Sequence, residues 1–261
     1  MKLHPRFADD AYDETSFWSA RFGALLFEHL ELRRELDVLD VACATGFPLF
    51  ELAHVHGPSS RFTGVDIWPE AIARAKRKAD YYGLTNVTLH EADAASMPFA
   101  DGSFDLITSN LGINNFADPA AAARECFRVA RRGARIVLTT NLTGHYAEFY
   151  AIFRDVLRGD AELLAKLDAQ EAHRGTRASV EALLTDAGFN LSRTFEDAFT
   201  MHFADGTAML RHSLVQFFLD GWRGVTEDAE IWNAIERRLN DAAPLTMTVP
   251  MLYAEAVRLR R

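Results

Sequence analysis

Cysteine is nearly absent from this chain: only Cys43 and Cys126 occur in 261 residues. That excludes a disulfide-stapled scaffold and a zinc site built from cysteines alone, and it suits a reducing compartment, with room for one bridge at most. An excess of positive charge is also missing. Against 28 Lys and Arg stand 37 Asp and Glu, a formal net charge of −9, with no long basic run. The chain therefore lacks the electrostatic footprint of a partner for a nucleic-acid backbone. Two local basic clusters, Lys76 to Lys78 and Arg258 with Arg260 and Arg261, read most plainly as solvated faces. No segment approaches the ~18 consecutive apolar residues of a membrane span, and the first residues, MKLHPRFADDAYDE, lack the apolar core of a signal peptide. A soluble, cytoplasmic protein with no membrane partner is expected. Internal repeats and low-complexity tracts are absent as well.

What is present is ordinary globular composition, 49% hydrophobic and 25% charged, at a length that fits one large domain or a domain with a grafted subdomain. The hydrophobic pattern alternates between two periods. An N-terminal helix is predicted from Thr15 to about Leu32. Short apolar strands follow at Val38–Cys43, Phe62–Val65, Val87–His90, Phe104–Thr108 and Arg135–Thr140. Between them lie helices at Pro48–Val55, Pro69–Tyr82 and Pro119–Val129. Strands separated by helices imply right-handed βαβ units and a parallel sheet covered on both faces. The rhythm then changes. Tyr146–Leu157 and Ala161–Glu171 form an extra helical pair before a helix at Ser179–Ala187, and a sixth strand is predicted at Asn190–Thr200. Helices at Ala208–Trp222 and Asp228–Leu239 precede a last strand, Leu252–Leu259, which is started after Pro250 because proline cannot donate to a ladder.

The first strand runs into a loop and helix start reading VLDVACATGF, residues 38–47. Small residues at Ala42, Ala44 and Gly46 let a ligand approach the backbone, and the helix beyond offers unpaired N–H groups. About 20 residues on, Asp66 closes the second strand, where a carboxylate can accept hydrogen bonds from two ribose hydroxyls. By itself this fits any nucleotide-type cofactor.

The loop, together with GVDIWPEAIARAK, EADAASMPFADGSFDLITSN, the RVARRGARIVLTT run and the later AGF (Ala187–Phe189), resembles the class I S-adenosylmethionine (SAM)-dependent methyltransferases over most of Asp37–Thr140. The DAASMPF and SFDLI segments are similar to the small-molecule type that includes ubiquinone- and menaquinone-biosynthesis enzymes. The resemblance implies an α/β fold: a Rossmann-like seven-stranded, mostly parallel sheet with an antiparallel last strand, helices on both faces and inserted helices forming a cap. The corresponding divisions are an N-terminal helical segment (1–36), a SAM-binding core (37–143, continued at 177–203 and 244–261) and helical insertions at 144–176 and 204–243.

It further implies that Asp40 positions the loop, that Ala42, Cys43, Ala44 and Gly46 lie beneath the methionine portion of SAM, and that Asp66 holds the ribose. Ile67 and Trp68 would flank the adenine, Asp93 and Ala94 would meet its amino edge, and Asn110 and Leu111 would face the methionine end and the acceptor. One departure stands out: the family has glycine where Ala42 and Ala44 stand, and the loop is expected to tolerate both methyl groups. An NAD-binding domain, which also uses a glycine-rich turn and a distal acid, is the rival cofactor reading; the missing third glycine and the polar Ser109-Asn110 strand end favour SAM.

Methyl transfer from a sulfonium is an in-line displacement that depends on positioning, and a base matters only where the nucleophile must lose a proton. His145, just after the fifth strand, is the candidate base; a capping or surface histidine is the plainer alternative. Tyr12, Trp18, Asn114, Asn115 and Tyr146 are candidates for the acceptor side, with turn and core packing as their alternatives. No metal is expected, since Asn110 and Asn141 stand where acidic ligands would be needed. The inserted helices carry Phe149, Tyr150, Phe153, Leu214, Phe217, Phe218, Trp222 and Trp232, which suit a lid over a hydrophobic or aromatic acceptor, a homodimer interface or an extended core. The expected function is methyl transfer from SAM to a small molecule. A non-catalytic SAM-binding or protein-interaction module is the alternative, and an NAD-linked oxidoreductase a third.

Overall fold

A computed structural model describes residues 16–259; Tyr12 of the candidate acceptor side lies outside them. The chain begins with α1 (Ser16–His29) and then alternates β1 (Asp37–Val41), α2 (Leu49–His56), β2 (Arg61–Asp66), α3 (Pro69–Tyr82), β3 (Val87–Glu91), β4 (Phe104–Asn110), α4 (Pro119–Val129) and β5 (Ala130–Asn141). There follow α5 (Ala147–Val156), α6 (Ala161–Glu171), α7 (Arg177–Asp186), β6 (Asn190–Phe203), α8 (Gly206–Arg211), α9 (Ser213–Arg223), α10 (Ala229–Asp241) and β7 (Leu245–Val257). The seven strands form one sheet in the order β3-β2-β1-β4-β5-β7-β6. Strands β1 to β5 pair in parallel. Between β5 and β7 the bonds Arg258 N–H to Ala134 O and Leu142 N–H to Pro250 O run antiparallel.

Burial explains the local choices. β1 and β4 are buried at nearly every position, as strands covered on both faces must be. α3 starts on Pro69, ends on Gly83 in the left-handed region, and buries Ala71, Ile72, Ala75 and Ala79 along one face. α4 is capped by Asp118, whose carboxylate accepts the Ala121 N–H at 2.8 Å.

Contacts divide the chain into two compact units. The first comprises residues 1–140, 177–195 and 252–261; the second comprises 141–176 and 196–251. The first holds the parallel strands. The second is built on an aromatic cluster: Phe149 stacks on Trp222 at 4.1 Å, and Trp222 Nε1 donates to the Tyr150 hydroxyl at 3.0 Å. Phe149, Tyr150, Phe153, Leu214 and Trp222 are buried, so these inserted residues pack mainly on one another.

Two predicted boundaries need correction. The last strand does not start after Pro250 but runs through it from Leu245; the proline carbonyl accepts from Leu142 N–H at 3.2 Å, so the ladder continues without the missing donor. The single helix expected at Ala208–Trp222 is two helices, because His212 is extended and its Nδ1 accepts the Leu214 N–H at 3.2 Å, capping α9. Arg258, expected on a solvated face, instead donates from Nη1 to the carbonyls of Phe127, Arg128 and Ala130 and lies over the Phe127 ring. Among the described residues no helix is long and apolar enough to cross a membrane.

Candidate functional site

Parallel β1, β2 and β4 end side by side, and the loops leaving their carboxyl ends assemble the candidate site, the usual ligand position in open α/β sheets. Asp40 is buried in β1. Its Oδ1 accepts the Thr108 hydroxyl from β4 at 2.7 Å, while Oδ2 has no hydrogen-bond partner. Burial first of all, helped by the negative charge of Asp66, pushes the Asp40 carboxyl up to about 7.

After β1 the chain turns through Ala42 and Ala44, both at positive φ, 62° and 44°. These are the positions where the resembled family has glycine, and the turn needs the left-handed region there. A Cβ on Gly112 would stand 2.9 Å from the Ala42 methyl, so that methyl occupies space the glycine leaves free. Gly46, at φ 106°, has the Phe50 ring packed where a side chain would begin. Cys43 is buried, its N–H donating to Val65 O, and its thiol is pushed well up by burial; it is packing, with no thiolate chemistry.

Asp66, at the end of β2, accepts the Ala44 N–H on Oδ2 at 2.8 Å and the Trp68 N–H on Oδ1 at 2.9 Å. One carboxylate thus ties the β1 loop to the start of α3 and keeps lone pairs for further donors. Burial raises its pKa, and the backbone N–H groups of Trp68, Ala44 and Ile67 pull the other way. Ile67 is exposed and Trp68 half-buried beside it. Asp93 is exposed and accepts the Ala95 N–H at 2.9 Å, with Ala94 inside that turn.

After β4, Asn110 is buried, accepting the Thr139 hydroxyl at 2.7 Å and donating to Ser19 O on α1 at 3.3 Å. Trp18, one residue earlier on α1, packs on Phe22. Leu111 is at φ 65°. Asn114 donates to the Thr140 hydroxyl at 2.9 Å and Asn115 to Leu111 O at 3.1 Å, so both amides hold the turn.

His145 and Tyr146 belong to the second unit. The imidazole is buried, stacked on Tyr146 at 4.3 Å and edge-on to Phe218 at 4.9 Å; it is not a surface histidine. Burial and the nearby Arg174 charge lower its pKa well below the usual value, so it is neutral. The Tyr146 hydroxyl donates to Met201 Sδ at 3.1 Å.

Sequence reasoning passed over Thr108 and took Ser109 only as part of a polar strand end. Thr108 orients Asp40, and the Ser109 hydroxyl donates to Val41 O at 2.9 Å. The available signal was a pair of hydroxyls closing an otherwise apolar strand.

The site residues fit a cationic, hydroxyl-bearing ligand. A buried carboxylate oxygen with no donor lies at the loop, a second carboxylate stands at the next strand end, and the turn after β1 carries the small residues Ala42, Ala44 and Gly46. A demethylmenaquinone methyltransferase of Anoxybacillus flavithermus is 31% identical over 143 residues, 53% of this chain and 60% of the relative. One of Thermus thermophilus is 41% identical over 121 residues, 46% of this chain and 52% of the relative. The chain thus spans about half the length of these curated relatives. A solved SAM-dependent methyltransferase of Aquifex aeolicus superposes with a TM-score of 0.61 over 99% of this chain and 100% of that one, at 17% identity, a likeness of fold. Residues 32–198, more than half of the chain, match the methyltransferase domain, and the chain belongs to that family.

Proposed function

We propose that the chain transfers a methyl group from SAM to a small aromatic acceptor. The observation that carries this reading is the pair of carboxylates at adjacent strand ends, Asp40 with an unpartnered buried oxygen and Asp66 bound to two backbone N–H groups, around an open turn. When bound, SAM supplies a methyl group on a sulfonium, open to in-line displacement. Asp66 would accept from the ribose hydroxyls while holding the turn at Ala44. Asp40 would answer the ligand's positive charge. Ile67 and Trp68 would flank the adenine, with Asp93 and Ala94 at its edge. The loop Ala42, Cys43, Ala44 and Gly46 would form the floor, and Asn110 and Leu111 the acceptor side.

The demethylmenaquinone methyltransferases among the relatives support an aromatic acceptor. Where its nucleophile carries a proton, His145 is the candidate base, since a neutral imidazole can take one. Trp18, Asn114, Asn115 and Tyr146 remain candidates for the acceptor side, and a cytoplasmic setting is part of the same reading.

The positive-φ alanines favour a second reading, a non-catalytic SAM-binding or protein-interaction module, because each places a methyl group where the ligand would approach the backbone. Calorimetric titration of SAM, S-adenosylhomocysteine and NAD into the protein and into Asp66→Ala tests the proposal. Micromolar-range SAM binding, weakened roughly tenfold or more by the substitution, is expected. NAD binding in its place would overturn it. SAM binding without turnover on an acceptor panel would move the second reading ahead.

A further inference from the structure

Among the described residues, the second unit holds a cation with no counterion. Arg174 is nine-tenths buried, and among the described residues no carboxylate pairs with it. Glu171, three residues before it in the chain, is bound at 2.6 Å by Arg154. The Arg174 guanidinium lies 5.5 Å over the Phe218 ring, and its Nη1 is sealed from water without any acceptor. Its backbone is fixed, since the Thr143 hydroxyl donates to Arg174 O at 2.5 Å and the Thr143 N–H to Gly175 O at 2.9 Å.

Guanidinium cannot shed its proton in a protein to escape this position, so burial without an anion is a standing destabilisation. A second polar group in the same cluster is poorly satisfied: the buried Tyr146 hydroxyl spends its proton on a thioether sulfur, a weak acceptor. Around these two groups stand the rings of Phe218, His145, Tyr150 and Trp222.

We infer that Arg174, with the Tyr146 hydroxyl, forms a binding site for the carboxylate of a small aromatic molecule. One carboxylate oxygen accepts from Nη1 and the other from the tyrosine, and the ligand ring packs among the aromatic side chains. Naming that molecule as the methyl acceptor rests on the proposed methyl transfer; the binding site does not.

The test is calorimetry on the full chain with 4-hydroxybenzoate, its neutral amide 4-hydroxybenzamide, and inorganic phosphate, for the wild type and Arg174→Met. The carboxylate should bind roughly tenfold or more tightly than the amide and lose a similar factor in the variant. Arg174→Met, which fills the same space without charge, should melt at or above the wild-type temperature, where a purely structural arginine would leave it less stable. Equal binding of carboxylate and amide, no binding of either, or preference for phosphate would overturn the inference; so would unchanged affinity or a lowered melting point in the variant. Carboxylate binding by a protein that fails to bind SAM would leave the site standing and remove only its role as acceptor site.

Discussion

Ala42 and Ala44 carry the clearest conflict between residue type and backbone. A non-glycine residue in the left-handed region costs about 1–2 kcal/mol, and glycine returns up to roughly 1 kcal/mol of that through the freer unfolded chain. Ala44→Gly, alone or with Ala42→Gly, should therefore leave the melting temperature unchanged or raise it slightly, and should tighten SAM binding; a lowered melting temperature would show the alanine backbone to be unstrained. Asp40 gives a prediction in pH. Its carboxyl titrates near 3.8 when unfolded and at about 7 when folded. The folded state therefore prefers the protonated form, and stability falls as pH rises from about 4 to 7, by on the order of 4 kcal/mol over that range. Relative to wild type, Asp40→Asn should gain stability between pH 5 and pH 8 in urea unfolding. A parallel pair of curves would mean that Asp40 is ionised at no cost. A cation docked beside Asp40 favours the ionised form, so SAM binding at pH 7 should release protons, read as a dependence of the calorimetric heat on buffer ionisation enthalpy.

At the level of elements, side chains decide where helices end. His212 takes the place of a helical residue because its ring caps α9, and the sequence offers no sign of this, since His212 sits within an apolar run of helical spacing. Arg258 closes α4 from a distant part of the chain: three carbonyls at the end of that helix share one Nη1, where a cation also meets the negative end of the helix dipole. Arg258→Met should cost roughly 2 kcal/mol, measured by urea denaturation, with the loss largely insensitive to moderate salt if the carbonyl bonds dominate and strongly reduced by salt if only the dipole matters. Asn110 similarly ties α1 to β4 and β5 through Ser19 O and Thr139. This amide, read in the sequence as a ligand contact, already has structural work on both its oxygen and its nitrogen.

Across the whole molecule the buried titratable groups oppose one another. His145 is held neutral when folded and gains a proton near 6.5 when unfolded, so its contribution is present above about pH 6.5 and is lost as pH falls. Asp40 works in the opposite direction. His145→Leu should gain stability relative to wild type on going from pH 7 to pH 5, whatever constant offset the changed packing adds; a flat difference between the two curves would place the imidazole in solvent-like surroundings.

The sequence by itself determined the alternation of strands and helices, the turn after β1 and the acid after β2. Each rests on a local signal: a period of two or 3.6 residues, a run of small side chains, a fixed interval along the chain. It did not disclose that β7 continues through Pro250, that Thr108 orients Asp40, or that Asp66 binds Ala44 N–H across 22 positions. Those outcomes depend on which strands become neighbours. Nor could it mark Arg174 or His145 as buried, since nothing in HRGTR or TGHY distinguishes them from surface residues. Their burial follows only when α5 and α9 bring Tyr146, Tyr150, Phe218 and Trp222 together, and it is the tertiary packing that converts an ordinary arginine into a cation in want of an anion.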